Sequence, residues 1–171
     1  MEEALDILNS RMKPKEKQAA IVEMTRLKKL SIENLLEILK NTKDSYKGTI
    51  LAVLAEISKE NPEFVAAHLD FVITYINHKA PRVMWESSEI VANVSSKYPN
   101  DVAYAIPKLI QNLSFEGTVV RWSAAFALTN IALANPNACA GLIPIFEEQL
   151  KKELSSGIIK MYQKTLKSLS K

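Results

Sequence analysis

At 171 residues the chain suits one domain with a continuous core, and 47% apolar with 24% charged residues argues against global disorder. The net charge of +3 is too small to imply nucleic acid by itself, and the single Cys139 excludes an internal disulfide and a cysteine-rich zinc site. Only four glycines favour packed helices over sheets and turns, no apolar run reaches bilayer length, and the opening MEEALDILNSRMKPK lacks the apolar stretch of a signal peptide, so a cytoplasmic protein is expected.

In chain order, EEALDILNS predicts a short leading helix, and KPKEKQAAIVEMTRLKKL a second helix poor in apolar residues. Ser31 is placed to cap IENLLEIL, whose stripe is Ile32, Leu35 and Leu39. Residues 1–45 thus read as an N-terminal cap and a partial repeat. From there a 37-residue period takes over: Pro62, Pro99 and Pro136 are separated by 99 − 62 = 37 and 136 − 99 = 37. Trp85 and Trp122, Asn93 and Asn130, and Pro107 and Pro144 keep the same interval. A gapless period of this size is the signature of a solenoid, in which each unit buries its apolar face on its neighbours.

The copies are 46–82, 83–119 and 120–156, each predicting a first helix, a short turn and an antiparallel second helix. The first helices contain VLAEIS, EIVANVS and FALTNIALA, and align Leu54, Val91 and Leu128, then Ile57, Val94 and Ile131. The second helices align Leu69, Ile106 and Ile143, then Val72, Leu109 and Phe146, then Ile76, Leu113 and Leu150, an i, i+3, i+7 stripe. In the turns, Asn61-Pro62 and Asn135-Pro136 set a capping side chain before a proline whose missing N–H costs nothing at the first helical position. Asn100 and Asp101 offer caps after Pro99, and Thr118 is the expected cap of VVRWSAAFAL. Residues 157–171 predict a C-terminal capping helix with a shifted stripe of Ile158, Ile159, Tyr162, Leu166 and Leu169. Atypical ends are expected of a complete array, whose outermost faces meet water. The expectation is an all-α αα-solenoid of about four to five helix pairs, nine or ten helices and no strands.

These residues resemble HEAT and armadillo repeats. Pro107 and Pro144 match the proline that bends a HEAT helix, and Val120-Arg121 with Ala124, Ala127-Leu128 and Ile131 is similar to the second HEAT helix. Phe126 to Ala132, FALTNIA, resembles the armadillo segment WxLxNIx, with Phe126 on the tryptophan and Asn130 on the asparagine. The match covers 46–156 well and the flanks weakly. It departs at Asp70, where a proline is expected, at Met84, where an arginine is expected, and in the missing third helix of each armadillo unit. The resemblance implies a right-handed superhelix with the VLAEIS-type helices on its concave side. It also implies that Asn130, and by interval Asn93, bond peptide amides.

Helical projection divides the first helices into sides. In the third copy Val120, Ala124, Ala127, Leu128 and Ile131 form the core, and Trp122, Phe126, Thr129 and Leu133 lie opposite with Asn130 on the flank. In the second, Val83, Ser87, Ile90, Val91 and Val94 are core, and Trp85, Glu89, Ala92, Asn93 and Ser96 lie opposite. In the first copy the opposite side is Gly48, Ala52, Ala55, Glu56 and Lys59. The candidate binding residues for a peptide or partner helix are therefore Trp85, Glu89, Asn93, Trp122, Phe126, Asn130 and Leu133. Exposed aromatics offer contact area at low entropic cost. Two readings of the tryptophans stay open at this point: they line a groove, or they fold into the seam between repeats.

Lys160, Lys164, Lys167 and Lys171, with Lys151 and Lys152, form a candidate basic patch, and Lys13, Lys15, Lys17, Arg26, Lys28 and Lys29 form another. Binding of phosphate or an acidic partner is one reading of these runs, but a solvated cap face is the favoured one, since charge runs usually serve solubility. His68 and His78 have no metal-ligand spacing, Cys139 sits among alanines, and the acids Asp70, Asp101, Glu86 and Glu89 form no catalytic pair. No enzyme activity, metal or cofactor is expected. A protein or peptide partner is the leading expectation. A DNA-alkylation-repair-like protein is the alternative, against which the neutral-to-acidic strip around Glu56, Glu86 and Glu89 argues. A structural subunit joined through the solenoid ends is a third.

Overall fold

The computed structural model describes residues 1–137 and 139–171. Among these it holds eleven α-helices, one 3-10 helix and no strand. In chain order they are α1 Glu2–Asn9, α2 Pro14–Arg26, α3 Ile32–Asn41, α4 Asp44–Glu60, α5 Pro62–Ala66, α6 Leu69–Ile73, α7 Pro81–Val94, a 3-10 turn Asp101–Ala105 running into α8 Ile106–Asn112, α9 Thr118–Ala134, α10 Leu142–Lys152 and α11 Ser156–Leu169. The excess over nine or ten arises because the second helices of the first two copies are broken. In the second copy Pro107 supplies no N–H to the preceding turn, so the segment before it tightens to 3-10 and the α-helix starts at Ile106. In the first copy the helix breaks at Ala67-His68 although Asp70 stands in the proline's place, so the break does not depend on proline.

α2, α4, α7, α9 and α11 pack side by side as one layer of the solenoid. The returning helices α3, α5–α6, the 3-10 turn with α8, and α10 form the second layer behind them. One apolar core runs the length of the chain, from Ala4 and Leu8 through Leu51, Val91 and Leu128 to Ile158 and Tyr162. Leu54, Val91 and Leu128, expected as equivalents, are all inaccessible to solvent. No helix among the described residues is long and apolar enough to cross a membrane.

The caps are partly as read. Ser31 Oγ accepts the Asn34 N–H at 3.2 Å and the Asn34 side chain reaches back to the Ser31 N–H, a reciprocal cap. Pro62 opens α5 after Asn61, but Asn61 makes no side-chain cap bond. Gly117, not Thr118, occupies the N-cap of α9, and Thr118 is its first helical residue. α2 ends in a Schellman motif: the Lys28 N–H bonds Thr25 O and the Lys29 N–H bonds Met24 O. Lys28 takes the left-handed position of that motif, with φ 57°.

Candidate functional site

α9 is flanked by α7 and α11 and backed by the second layer, so only one side of it is free. That side carries Val119, Trp122, Phe126, Asn130 and Leu133. Trp122 is 40% exposed and Leu133 47%, while Phe126 is half-buried. The Trp122 and Phe126 rings stack, centroids 5.1 Å apart and 15° from parallel, as the i, i+4 spacing allows. This face is open rather than a cavity. An apolar concavity lies elsewhere, about 360 Å³ bounded by Leu30, Ile32, Ile57 and the exposed Phe64.

On α7 the matching side presents Arg82, Trp85, Glu89 and Asn93, all half-buried. Two residues expected on the open side are instead buried: Ala92 at 5% and Thr129 at 3% exposure. Both lie one position off the strip, and Thr129 Oγ1 donates to Phe126 O of its own helix. Ala52 and Ala55 on α4 are buried as well. The strip is narrower than projection alone predicts, because neighbouring first-layer helices cover both flanks of each helix.

The tryptophan row stops at α7 for a visible reason. Its next position is Gly48, and a Cβ there would stand 2.9 Å from Cδ of Arg82. The Arg82 stem lies over this glycine, and its Nη1 approaches Thr49 Oγ1 at 3.5 Å. Arg82 was not among the residues singled out from sequence. Nothing in the 37-residue pattern marks it, because its counterparts are Ser45 and Val119.

The two asparagines, equivalent by interval, behave differently. Asn93 Nδ2 donates across to α4, to Ala55 O and Ser58 Oγ, both at 3.0 Å. Both of its hydrogens are thereby used in joining two repeats. Asn130 Nδ2 donates to Phe126 O of its own helix at 2.7 Å, which leaves its second hydrogen and its oxygen uncommitted among the described residues.

The glutamates of this face are paired. Glu56 and Glu60 both take Arg26 of α2, Glu89 takes Lys59 of α4, and Glu86 lies 3.6 Å from Arg82. Burial pushes the Glu86 carboxyl above the usual carboxylate range, while Arg82 and the Trp85 indole pull it back in part. At the far edge, Arg121 holds Glu153 with two bonds of 3.0 and 3.2 Å and also donates to Phe115 O and Glu116 O. The half-buried Glu153 has a shielded side chain, which raises its pKa, but Arg121 and the Ser155 and Leu154 N–H groups outweigh this and hold it below the ordinary range.

The basic groups separate likewise. Lys160, Lys164, Lys167 and Lys171 are exposed on and just beyond α11, and none is in an ion pair among the described residues. Of the N-terminal set, Arg26 is committed to Glu56 and Glu60, and Lys17 donates to Leu8 O and lies over the Tyr46 ring. That set is therefore not one free patch. His78 lies 3.6 Å from Asp44 and His68 3.8 Å from Glu33, and no metal-ligating cluster occurs among the described residues. Cys139 is buried, which raises its thiol pKa.

No family model matches the sequence, and no curated protein matches it. Solved structures do. An engineered protein superposes with a TM-score of 0.70 at 22% identity, over 91% of this chain and 66% of its own length. Computationally designed armadillo repeat proteins for modular peptide recognition give 0.70 at 18% identity, over 90% and 68%. A designed armadillo repeat protein in complex with the peptide (KR)4 gives 0.66 at 17%, over 98% and 87%. This chain therefore spans just under two thirds of the first of them. The all-helical, two-layered array and these likenesses together give the chain the fold of an armadillo/HEAT-type α-helical repeat protein.

Proposed function

We propose that this chain is a non-enzymatic scaffold that binds a segment of another protein, an extended peptide or a helix, along the open and concave side of α7 and α9. The observation that carries the reading is the exposed Trp122 stacked on Phe126, with Val119 and Leu133 open beside them. Large apolar side chains gathered on one open strip are the usual anchors of a protein interface. The designed armadillo neighbours were built for peptide recognition, and one holds a peptide, which supports a partner of this kind. In this reading Trp85 and Glu89 extend the strip toward α4. Asn130 bonds the partner's backbone through both its free N–H and its oxygen, whereas Asn93 offers only its oxygen. A nucleic acid is the less favoured partner at the α4 end of the strip, where the two carboxylates Glu56 and Glu60 share one cation, Arg26.

The test is selection of binders from a random displayed peptide library, with wild type and Trp122→Ala/Phe126→Ala as baits. The double variant should recover none of the wild-type sequences, and its melting temperature should fall by less than about 10 °C, since both side chains are only partly buried. Sequences that bind both baits equally would refute the strip. A collapse of the melt would place the two rings in the core.

A further inference from the structure

The last helix of the first layer steps out of the 37-residue rhythm. α4, α7 and α9 begin at 44, 81 and 118, steps of 37, while α11 begins at 156, a step of 156 − 118 = 38. A step of 38 lays Ile158 on Val120, Tyr162 on Ala124 and Thr165 on Ala127, and all six are buried. The same step lays Lys160 on Trp122, Lys164 on Phe126 and Lys171 on Leu133. Where α9 opens its stacked rings, its neighbour therefore opens ammonium groups. These lysines have no ion-pair partner among the described residues, whereas on the other side of the rings Glu86 and Glu89 each have a cation and Glu56 and Glu60 share Arg26. From 156 to the end the sequence contains four lysines and no acid. The uncompensated positive charge of the strip lies on the α11 side.

We propose that the bound segment is acidic at that end: an apolar side chain rests on Trp122 and Phe126, and carboxylates further along the same segment pair with Lys160 and Lys164. Packed helices lie about 8–10 Å apart and an extended chain advances about 3.3 Å per residue, so the carboxylates follow the apolar anchor by about three residues. The free cations steer an acidic segment to this end of the strip and set its direction. The proposal rests on the reading of the strip as a protein-binding face.

The test uses the same random peptide library with three baits: wild type, Lys160→Gln/Lys164→Gln and Trp122→Ala/Phe126→Ala. Wild type should enrich peptides with Asp or Glu about three residues from an aromatic or aliphatic residue. The lysine variant should keep the apolar preference and lose the acidic one. A wild-type-selected peptide should bind the lysine variant about three- to tenfold more weakly, a loss that shrinks with added salt. Peptides that depend on Trp122 and Phe126 but show no acid preference, or an acid preference that survives the lysine substitutions, would overturn this proposal and leave the strip standing. Recovery of no peptide dependent on Trp122 and Phe126 would overturn both.

Discussion

Lys28 carries the backbone through φ 57°, where a side chain costs energy that glycine avoids. Lys28→Gly should stabilise the protein by about 0.5–1 kcal/mol, read as a higher urea midpoint, part of the gain being returned through the freer unfolded chain. Two glutamates should answer pH in opposite senses. The Glu86 carboxyl is raised by burial, so its ionised form is disfavoured by folding, and the stability it confers at low pH is lost as pH rises through its folded pKa. Glu86→Gln should therefore exceed wild type in stability at neutral pH, and the gap should close on acidification. Glu153 is the reverse: its folded pKa is depressed, so it contributes stability above its unfolded pKa that disappears as pH falls through the folded value. Glu153→Gln should be less stable at neutral pH, and its deficit should close only in more acid solution. Denaturant midpoints of both variants against pH check the pair of signs.

At the scale of elements, what joins one repeat to the next is polar as well as apolar. Asn112 is 3% exposed, donates to Ile76 O at 2.7 Å and accepts from Asn77 Nδ2 at 2.8 Å, tying α8 to the turn after α6. Asn112→Ala leaves the Ile76 carbonyl without this donor, while Asn77 keeps its bond to Lys108 O, and should cost about 2 kcal/mol in denaturant unfolding. The sequence carried no warning of this bond. Asn112 aligns with Tyr75 and Gln149, so the period does not repeat it. The side of α9 that bears Trp122 and Phe126 was readable, because it follows from angular position on one helix. The different partners of Asn93 and Asn130 were not, because they depend on whether a short side chain reaches the neighbouring helix or its own carbonyl. The burial of Ala92 and Thr129 was hidden for a related reason: a helical wheel has no neighbours.

At the scale of the molecule, repetition gives stacking and its interruptions give a place for function. The 37-residue step keeps Leu54, Val91 and Leu128 in one core, so the array of first-layer helices follows from the sequence period. The strip is not uniform along that array: Arg82 fills the place of a first tryptophan, rings occupy the next two, and lysines follow after a step of 38. In the proposed reading the partner therefore meets a local strip whose two ends differ in chemistry. The chain has only two tryptophans, Trp85 and Trp122, so their indole N–H signals report on the strip without further labelling chemistry. Titration of ¹⁵N-labelled protein with a library-selected peptide should shift the Trp122 indole signal, and that of Trp85 to a smaller extent. Saturable binding that leaves both indole signals in place would contradict the account.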